Sequence, residues 1–440
     1  FRSGDLSMNS YKYVKTIVED LNHERVEVRL ESLSKLKKMV EKGELPVPET
    51  GNDVNNHIHT FYSFSPYSPS KAIWMAYNAG LKTAGIMDHD SISGAMEFIK
   101  AGEIMGMATT IGVECRADFS HTPLNGRRIN NPDQDSIAYV AIHGIPHTKI
   151  DDVKNFFRPY LAERNKRNVK MVENINRMFN QYGIELDFEK DVVPISKSSE
   201  GGSITERHIL FALAHKITEK FGKGEQVADF LKNDLKISIK PKLENYLLDE
   251  NNEFYEYDLL GILKSDLVEK FYINATTECP DIREVIDFTK SIGAISAYAY
   301  LGDVTDSVTG DKKTQKFEDD YIELLFEVLK DLGFNAVTYM PSRNSMEQLK
   351  RVKALCQQHG LFQISGEDIN SPRQSFVCIA MRNKEFSNLF DSTWALIGHE
   401  KAATIDIRNA MFSEETIKKY PDLDERISVY KRIGLHTESK

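Results

Sequence analysis

Residues 52–91 constrain the fold of this chain more than any other stretch, because their pattern predicts a strand, a helix and a second strand. Ser68 is the expected N-cap of the helix, Pro69 is its first residue, and Gly80 ends it. Each predicted strand ends in a cluster of polar side chains. In parallel α/β folds, functional side chains gather at the carboxyl ends of the strands. The stretch therefore predicts an α/β unit with a site at one edge of its sheet.

The polar residues at these strand ends are of types that bind metal ions. His57 and His59 stand two residues apart in an extended run, so both imidazoles project to one face. Neutral imidazole is the most common side-chain ligand of transition metals. Asp88 and His89 close the second strand, where the carboxylate is expected to accept the ring N–H of His89. Two histidines at this spacing are also compatible with a purely structural role, so the motif alone leaves both interpretations open.

Strand and helix patterns continue to alternate on both sides of a long interruption. With the first two, the chain has seven predicted strands, the later ones at about residues 109–115, 137–142, 294–300, 335–340 and 361–365. All seven are expected to be parallel, and most end in ionisable residues. This recurrence is typical of a β/α barrel with its active site at one rim.

The same patterns divide the chain into five segments. These are an N-terminal helical extension over 1–50, a first part of the barrel over 51–147, a mainly helical insertion over 148–275, a second part of the barrel over 276–371, and a C-terminal extension over 372–440. The last segment is expected to pack on the barrel. It contains one more extended stretch, SFVCIAM at 375–381, followed by amphipathic helices.

Several further residues are candidates for a site at the strand ends. Glu114 lies near the end of a buried strand, where a carboxylate is costly unless it is paired or bound to metal. Arg116 shares its face and offers the structural alternative of a salt bridge. His143 follows another strand at what is expected to be the same end of the barrel. Arg207 and His208 of the insertion could project toward the site, with core or surface positions as the alternative.

Composition limits the classes of partner. The formal net charge of −10 disfavours broad electrostatic binding to nucleic acid or to an anionic membrane. No apolar run reaches the ~20 residues that a membrane-spanning helix requires. Four scattered cysteines without a CxxC pair favour a reducing, cytoplasmic location. A small phosphorylated substrate or a nucleotide remains compatible, because a local cluster of cations suffices to bind it.

Five motifs taken together resemble those of the polymerase-and-histidinol-phosphatase (PHP) family of metal-dependent phosphoesterases: HIHT at 57–60, MDHDS at 87–91, GVE at 112–114, HG at 143–144 and GED at 366–368. The similarity covers about residues 52–144 and 281–371. It implies a distorted seven-stranded β/α (TIM-like) barrel with up to three metal ions, zinc, manganese or iron, at the strand ends. It also implies hydrolysis of phosphate esters by metal-activated water.

The resemblance implies one complete set of metal ligands, formed by His57, His59, Glu114 and Asp368. A second metal would use His89, but the two other positions hold Phe64 and Asn370. Phenylalanine has no lone pair, and an amide offers only a weak carbonyl ligand. We therefore expect one tightly bound divalent metal ion and at most a second, weaker one.

A third metal would share Glu114 with His143 and with a histidine that this chain lacks. Tyr298 or Tyr300 stands in its place, with Asp303 close behind. A tyrosinate ligand would require a pKa of roughly 10 to be lowered by the metal.

The sequence predicts a metal-dependent hydrolase of phosphate mono- or diesters. In this hypothesis His89 and His143 bind further metal or transfer protons, and Asp88 supports them. The candidates for binding phosphate are Arg116, Arg207, His208, Arg343 and Arg373. The alternative is a degenerate barrel that binds a metal or a phosphorylated ligand without turnover, as a sensor or scaffold. Hydrolysis of a non-phosphate bond, the identity of the substrate and the oligomeric state are left open.

Overall fold

Seven strands form one sheet in chain order, in a computed structural model that describes residues 8–304 and 315–436. They are β1 (Val54–Ile58), β2 (Thr83–His89), β3 (Ala108–Asp118), β4 (Ile137–His143), β5 (Ile295–Ala299), β6 (Ala336–Tyr339) and β7 (Phe362–Ser365). All seven were expected from the sequence. Among the described residues, none of the helices has both the length and the apolar character needed to cross a bilayer.

The sheet curls until β1 meets the segment that follows β7. The amide of His59 donates to the carbonyl of Ile369 at 2.9 Å, and the amide of Ile369 donates to the carbonyl of His57 at 3.1 Å. Gly366 permits this approach, since a Cβ there would lie 2.7 Å from the backbone nitrogen of His57. The closure produces the distorted seven-stranded β/α (TIM-like) barrel, which confirms the predicted fold class.

Strand β4 is antiparallel to both of its neighbours, whereas the other adjacent pairs are parallel. The prediction that all seven strands run in parallel is therefore wrong for β4. The reason is the connection over 119–136, which contains no crossover helix and returns the chain directly beside β3. Consequently His143 pairs with Gly112, well before the end of β3 at Asp118.

Helices surround the barrel on its outside. The N-terminal pair is α1 (Met8–Asp20) and α2 (Val26–Glu41), and the others that accompany the strands are α3 (Pro69–Asn78), α4 (Ala95–Met105), α10 (Ile282–Ser291), α11 (Ile322–Leu332) and α12 (Met346–His359). The start of α3 is as expected: the hydroxyl of Ser68 accepts a hydrogen bond from the amide of Lys71, with Pro69 as the first helical residue.

Five α-helices form the insertion between β4 and α10. They are α5 (Ile150–Phe179), α6 (Glu206–Phe221), α7 (Glu225–Asp229), α8 (Pro241–Leu248) and α9 (Tyr255–Phe271). Their apolar faces form a hydrophobic cluster of their own, which includes Phe179, Leu213 and Leu263. Phe64, from the loop after β1, belongs to the same cluster. The insertion is thereby packed against the rim of the barrel where β1 ends.

The chain from Ser387 onward packs against the other end of the barrel. It contains α13 (Ser387–Ile405), α14 (Glu414–Lys419) and α15 (Leu423–Leu435). Leu396 of α13 clusters with Ala141, Ala297 and Ile364 from three strands. The stretch at 375–381 was predicted to be extended, but it is not a strand of the sheet and leads into the short 3-10 helix Ile379–Arg382. The free edge of β1 is already paired with the segment around Ile369.

Candidate metal centre

Four donor atoms from three parts of the barrel converge at its rim. The Nε2 atoms of His57 and His59 are 3.2 Å apart. Oε2 of Glu114, from β3, lies 3.7 Å from the first of these nitrogens and 4.0 Å from the second. Oδ1 of Asp368 lies 3.1 Å from Nε2 of His59. The geometry thus brings together the four residues of the ligand set implied by the sequence.

This donor set fits a divalent transition metal ion. The ligand atoms of His57, His59 and Glu114 lie within 4.8 Å of one another, and the three residues are buried. Burial acts to raise the pKa of Glu114, but the charge and hydrogen bond of His57 outweigh it and hold that pKa below its usual value. Two imidazole nitrogens and two carboxylate oxygens suit zinc and related ions. A bound cation would also balance the two carboxylates.

Asp88 supports the site from behind His59. Its carboxylate accepts hydrogen bonds from the Thr60 amide at 2.7 Å, from the Thr60 hydroxyl at 2.6 Å and from the Ser63 hydroxyl at 2.7 Å. The oxygen of Ser63 is in turn 3.2 Å from Nδ1 of His59. From the sequence, Asp88 was expected to orient His89, and Ser63 was not identified. The position of Ser63 in the turn after HIHT was the only signal available.

His89 approaches the same carboxylate oxygen of Glu114 as the two ligand histidines. Its Nδ1 is 3.1 Å from Oε2 of Glu114, and its ring centroid is 4.6 Å from that of His59. Burial lowers the pKa of His89 to about 3, so the imidazole is neutral at physiological pH. A neutral ring that donates from Nδ1 to Glu114 leaves Nε2 able to accept a proton or to bind a second metal ion.

His143 is fully buried and is not among the residues that line the cavity above the ligand set. Neither of its ring nitrogens has a hydrogen-bond partner among the described residues. Burial, and next the charge of His57, lower its pKa to about 3. Because β4 is antiparallel, His143 lies deeper in the barrel than the sequence pattern indicated.

Phe64 and Asn370, at which the resemblance would require ligands of a second metal, both line the cavity. The ring of Phe64 packs edge-on against His208, with centroids 5.0 Å apart, and its backbone has φ +105°, a strained conformation for a residue other than glycine. The amide of Asn370 donates to Oδ1 of Asp368 at 2.7 Å. Phe64 therefore contributes an apolar wall of the cavity, and Asn370 contributes a hydrogen bond to the proposed ligand Asp368.

The residues considered as replacements for a lost third ligand are bonded elsewhere. The hydroxyl of Tyr298 donates to Oε1 of Glu318 at 2.9 Å, and that of Tyr300 donates to Oδ1 of Asp319 at 2.5 Å. A carboxylate oxygen of Asp303 accepts the amide of Phe317 at 2.7 Å. Of the three, only Tyr300 lines the cavity.

The cavity above the ligand set has a volume of about 170 Å³ and is walled by the barrel rim and the insertion. Arg207 lines it. Burial acts to raise the pKa of Asp368, but His59 and His57 outweigh it and hold that pKa well below its usual range, and the charge of Arg207 adds to this lowering. Within the described parts of the chain, Arg207 makes no hydrogen bond or ion pair. Arg164 and Lys264 of the insertion line the same cavity. Cations on amphipathic helices are common, so these two residues could not be recognised from the sequence.

Arg116 is engaged in a buried network beside the cavity. Its guanidinium donates to Oε1 of Glu278 at 2.5 Å and to the hydroxyl of Tyr272 at 3.0 Å. Arg167 donates to the other carboxylate oxygen of Glu278, also at 2.5 Å. Arg116 thus pairs with Glu278 and Glu206, so the alternative of a Glu114–Arg116 salt bridge is not the observed arrangement.

The other predicted phosphate ligands lie outside the cavity lining. Nδ1 of His208 accepts the amide of Thr205 at 3.0 Å and caps α6. Arg343 donates to the carbonyl of Leu301 at 3.3 Å. Arg373 is bound to the insertion. Among the residues predicted for phosphate, Arg207 is the one that faces the candidate metal centre.

A family model described as the PHP domain matches residues 55–337 of the chain. No curated protein sequence matches the chain significantly. Two solved structures are similar: a candidate metal-dependent phosphoesterase from Bifidobacterium adolescentis and an amidohydrolase from Chromobacterium violaceum with bound sulfate and no metal. The first has 19% identity and a TM-score of 0.49, and the match covers 77% of this chain and 96% of that one. The second has 15% identity and a TM-score of 0.46, covering 74% and 90%. These identities are too low to transfer an activity.

Proposed function

The chain belongs to the PHP domain family of metal-dependent hydrolases, and we propose that it hydrolyses phosphate mono- or diesters. The observation that carries this proposal is the position of Arg207 in the cavity above the two histidines and two carboxylates. A guanidinium matches phosphate oxygens in a bidentate manner. The walled cavity favours a small phosphorylated substrate or a nucleotide as the partner.

In this proposal His57, His59, Glu114 and Asp368 hold one divalent ion tightly, with zinc, manganese and iron as the candidates. When bound, such an ion supplies Lewis acidity toward a phosphoryl oxygen and makes water more acidic. His89, whose Nδ1 lies 3.1 Å from Oε2 of Glu114, is positioned to transfer protons at this site or to bind a second metal ion. A second, weaker metal site is expected at His89, because neither Phe64 nor Asn370 is a good ligand.

A second candidate function is binding of a phosphorylated ligand without turnover. The apolar ring of Phe64 favours this function, because it lines the cavity at a position where a polar side chain could bind a second catalytic metal ion. In that case the barrel would act as a sensor or scaffold, and the metal ion and Arg207 would hold the phosphate in place.

The experiment that tests the proposal is hydrolysis of p-nitrophenyl phosphate and bis(p-nitrophenyl) phosphate by protein reconstituted with Zn²⁺, Mn²⁺ or Fe²⁺. We expect turnover of at least one ester that depends on metal and is lost in Glu114→Gln. Binding of inorganic phosphate without turnover of either ester would favour the sensor or scaffold. Hydrolysis of a matched p-nitrophenyl carboxylic ester or anilide, with both phosphate esters untouched, would overturn the assignment of the substrate class.

A further inference from the structure

Asp368 differs from the other proposed metal ligands in being held by a loop. His57 and Glu114 lie within strands, and His59 follows β1 directly, whereas Asp368 lies beyond the end of β7 at Ser365. Its side chain is 41% exposed, compared with 1% for His59 and 10% for Glu114. Ile369 is bonded to β1 through its backbone, so the freedom that remains to the Asp368 carboxylate depends on its own side chain and on the contacts of residues 370–374.

Gln374 closes this loop on itself. Its side-chain oxygen accepts the amides of Asn370 and Ser371, both at 2.7 Å. Its side-chain nitrogen donates to the carbonyl of Asp368 at 2.8 Å. The loop from 368 to 374 is thereby one bonded unit, so that a contact made at its end is transmitted to the ligand at its start.

Arg373 fastens the end of the loop to the helical insertion. Its Nε donates to Oδ1 of Asp258 at 2.7 Å, and its Nη2 donates to Oδ2 of the same carboxylate at 2.8 Å. Nη2 also donates to Oδ1 of Asn252 at 3.1 Å, and the guanidinium lies 3.8 Å from the ring centroid of Tyr246. A bidentate pair that is stacked on an aromatic ring fixes both the distance and the orientation of a side chain. Asp258 is buried in α9, so the anchor itself is rigid.

We propose that Arg373 is a positioning residue through which the helical insertion holds Asp368 in place as a metal ligand. The inference rests on the proposed ligand set and deepens it, because it makes the insertion a part of the metal site as well as a wall of the cavity. Without the contacts of Arg373, residues 370–374 sample other orientations and Asn370 no longer holds Oδ1 of Asp368 steadily. The carboxylate is then directed at the metal ion for a smaller part of the time.

The test is the affinity of metal-free protein for Zn²⁺, measured by competition with a chromophoric chelator. Arg373→Ala should weaken Zn²⁺ binding by roughly 10-fold, the lower end of the range for residues that support a ligand. Arg373→Lys keeps the charge without the bidentate geometry, so its affinity for Zn²⁺ should lie between those of the natural protein and Arg373→Ala. The matched control is Arg382→Ala. Arg382 lies in the same C-terminal segment as Arg373, and it forms a bidentate pair with Asp53, the residue before β1: Nε donates to Oδ1 at 3.1 Å and Nη2 to Oδ2 at 2.6 Å. This variant should leave the affinity unchanged.

A double-mutant comparison distinguishes this role from general loosening. Asp368→Asn should weaken Zn²⁺ binding by itself, and Arg373→Ala should add nothing in that background. An equal loss in both backgrounds, or no loss from Arg373→Ala alone, would overturn the inference and leave the ligand set intact. Unchanged affinity in Asp368→Asn would instead overturn the ligand set, and the inference with it. If Arg373→Ala does not fold, Asp258→Asn makes the same test from the other side of the Arg373–Asp258 pair.

Discussion

The hydroxyl of Ser63 donates a 2.7 Å hydrogen bond to the carboxylate of Asp88 and lies 3.2 Å from Nδ1 of His59. The three groups form a line that leads from the proposed ligand into the interior of the barrel. A ligating histidine usually has its second nitrogen fixed by such a partner, which sets the tautomer and the direction of the ring. The arrangement leaves Nε2 of His59 directed at Glu114 and Asp368.

Removing the hydroxyl of Ser63 should weaken the metal site without unfolding the protein. We expect Ser63→Ala to lower metal affinity roughly 10-fold, and Asp88→Asn to lower it up to about 100-fold. Ser65→Ala is the matched control, because Ser65 is buried in the same loop and its hydroxyl has no hydrogen-bond partner among the described residues. Zn²⁺ competition titrations check all three. Equal effects at Ser63 and Ser65 would contradict the role of Ser63.

Two buried glutamates should respond in opposite ways to the same substitution. Glu114→Gln should remove most of the metal and the activity while the barrel still folds, since this carboxylate faces three histidines. Glu278→Gln should retain the metal but lower the free energy of unfolding by ~3–5 kcal/mol, because Arg116 and Arg167 then share only Glu206 and one buried positive charge loses its partner. Metal analysis and urea unfolding of the metal-free proteins make the comparison. Loss of stability without loss of metal in Glu114→Gln would refute its assignment as a ligand.

Local patterns were sufficient to locate the strands and the ligand-bearing motifs. The alternation of residues and the capping signals at Ser68 and Pro69 are properties of short segments, and the structure forms these elements where they were expected. The direction of β4 depends on the path of the connection over 119–136, which no local pattern specifies. The depth of His143 in the barrel was misjudged for the same reason.

The partner of each charged side chain could not be predicted from the sequence either. Arg116, Arg343 and Arg373 have the right chemistry for phosphate, but each is bonded to a group from a distant part of the chain. Asp88 was expected to act on His89, its neighbour in sequence, whereas it contacts Thr60 and Ser63 across the strands. Side-chain pairing between segments is set by packing, and periodicity carries no information about it.

Arg207 should govern affinity for phosphate. Hydrogen bonds to charged groups contribute ~1.5–3 kcal/mol, so Arg207→Ala should weaken the binding of inorganic phosphate roughly 10- to 100-fold. Arg207→Lys should recover part of this, because it restores the charge but not the bidentate geometry. The control is Arg343→Ala, outside the cavity lining. Isothermal titration of the metal-loaded protein with phosphate gives the affinities, and the same loss in both alanine variants would remove Arg207 from the site.

Glu318 is fully buried beside the barrel and is a candidate for a pH-dependent term in stability. Its Oε1 accepts the hydroxyl of Tyr298 and the amide of Leu301, both at 2.9 Å, while its Oε2 has no partner among the described residues. Burial raises the pKa of Glu318 from 4.5 to about 7. Because the pKa in the folded state is higher than in the unfolded state, the carboxyl contributes most to stability below pH 4.5, and this contribution is lost as the pH rises through about 7.

The isosteric variant Glu318→Gln should therefore become more stable relative to the natural protein as the pH rises. At ~1.4 kcal/mol for each unit of pKa shift, we expect its free energy of unfolding to gain about 2–3 kcal/mol on the natural protein between about pH 5 and pH 8. Glu323→Gln is the control: Glu323 is exposed, and its hydrogen bond to Arg351 lowers its pKa, so its contribution has the opposite sign and the variant should gain nothing at high pH. Urea unfolding of the three proteins at both pH values measures the difference. A gap between Glu318→Gln and the natural protein that stays constant with pH would show that Glu318 does not titrate in this range.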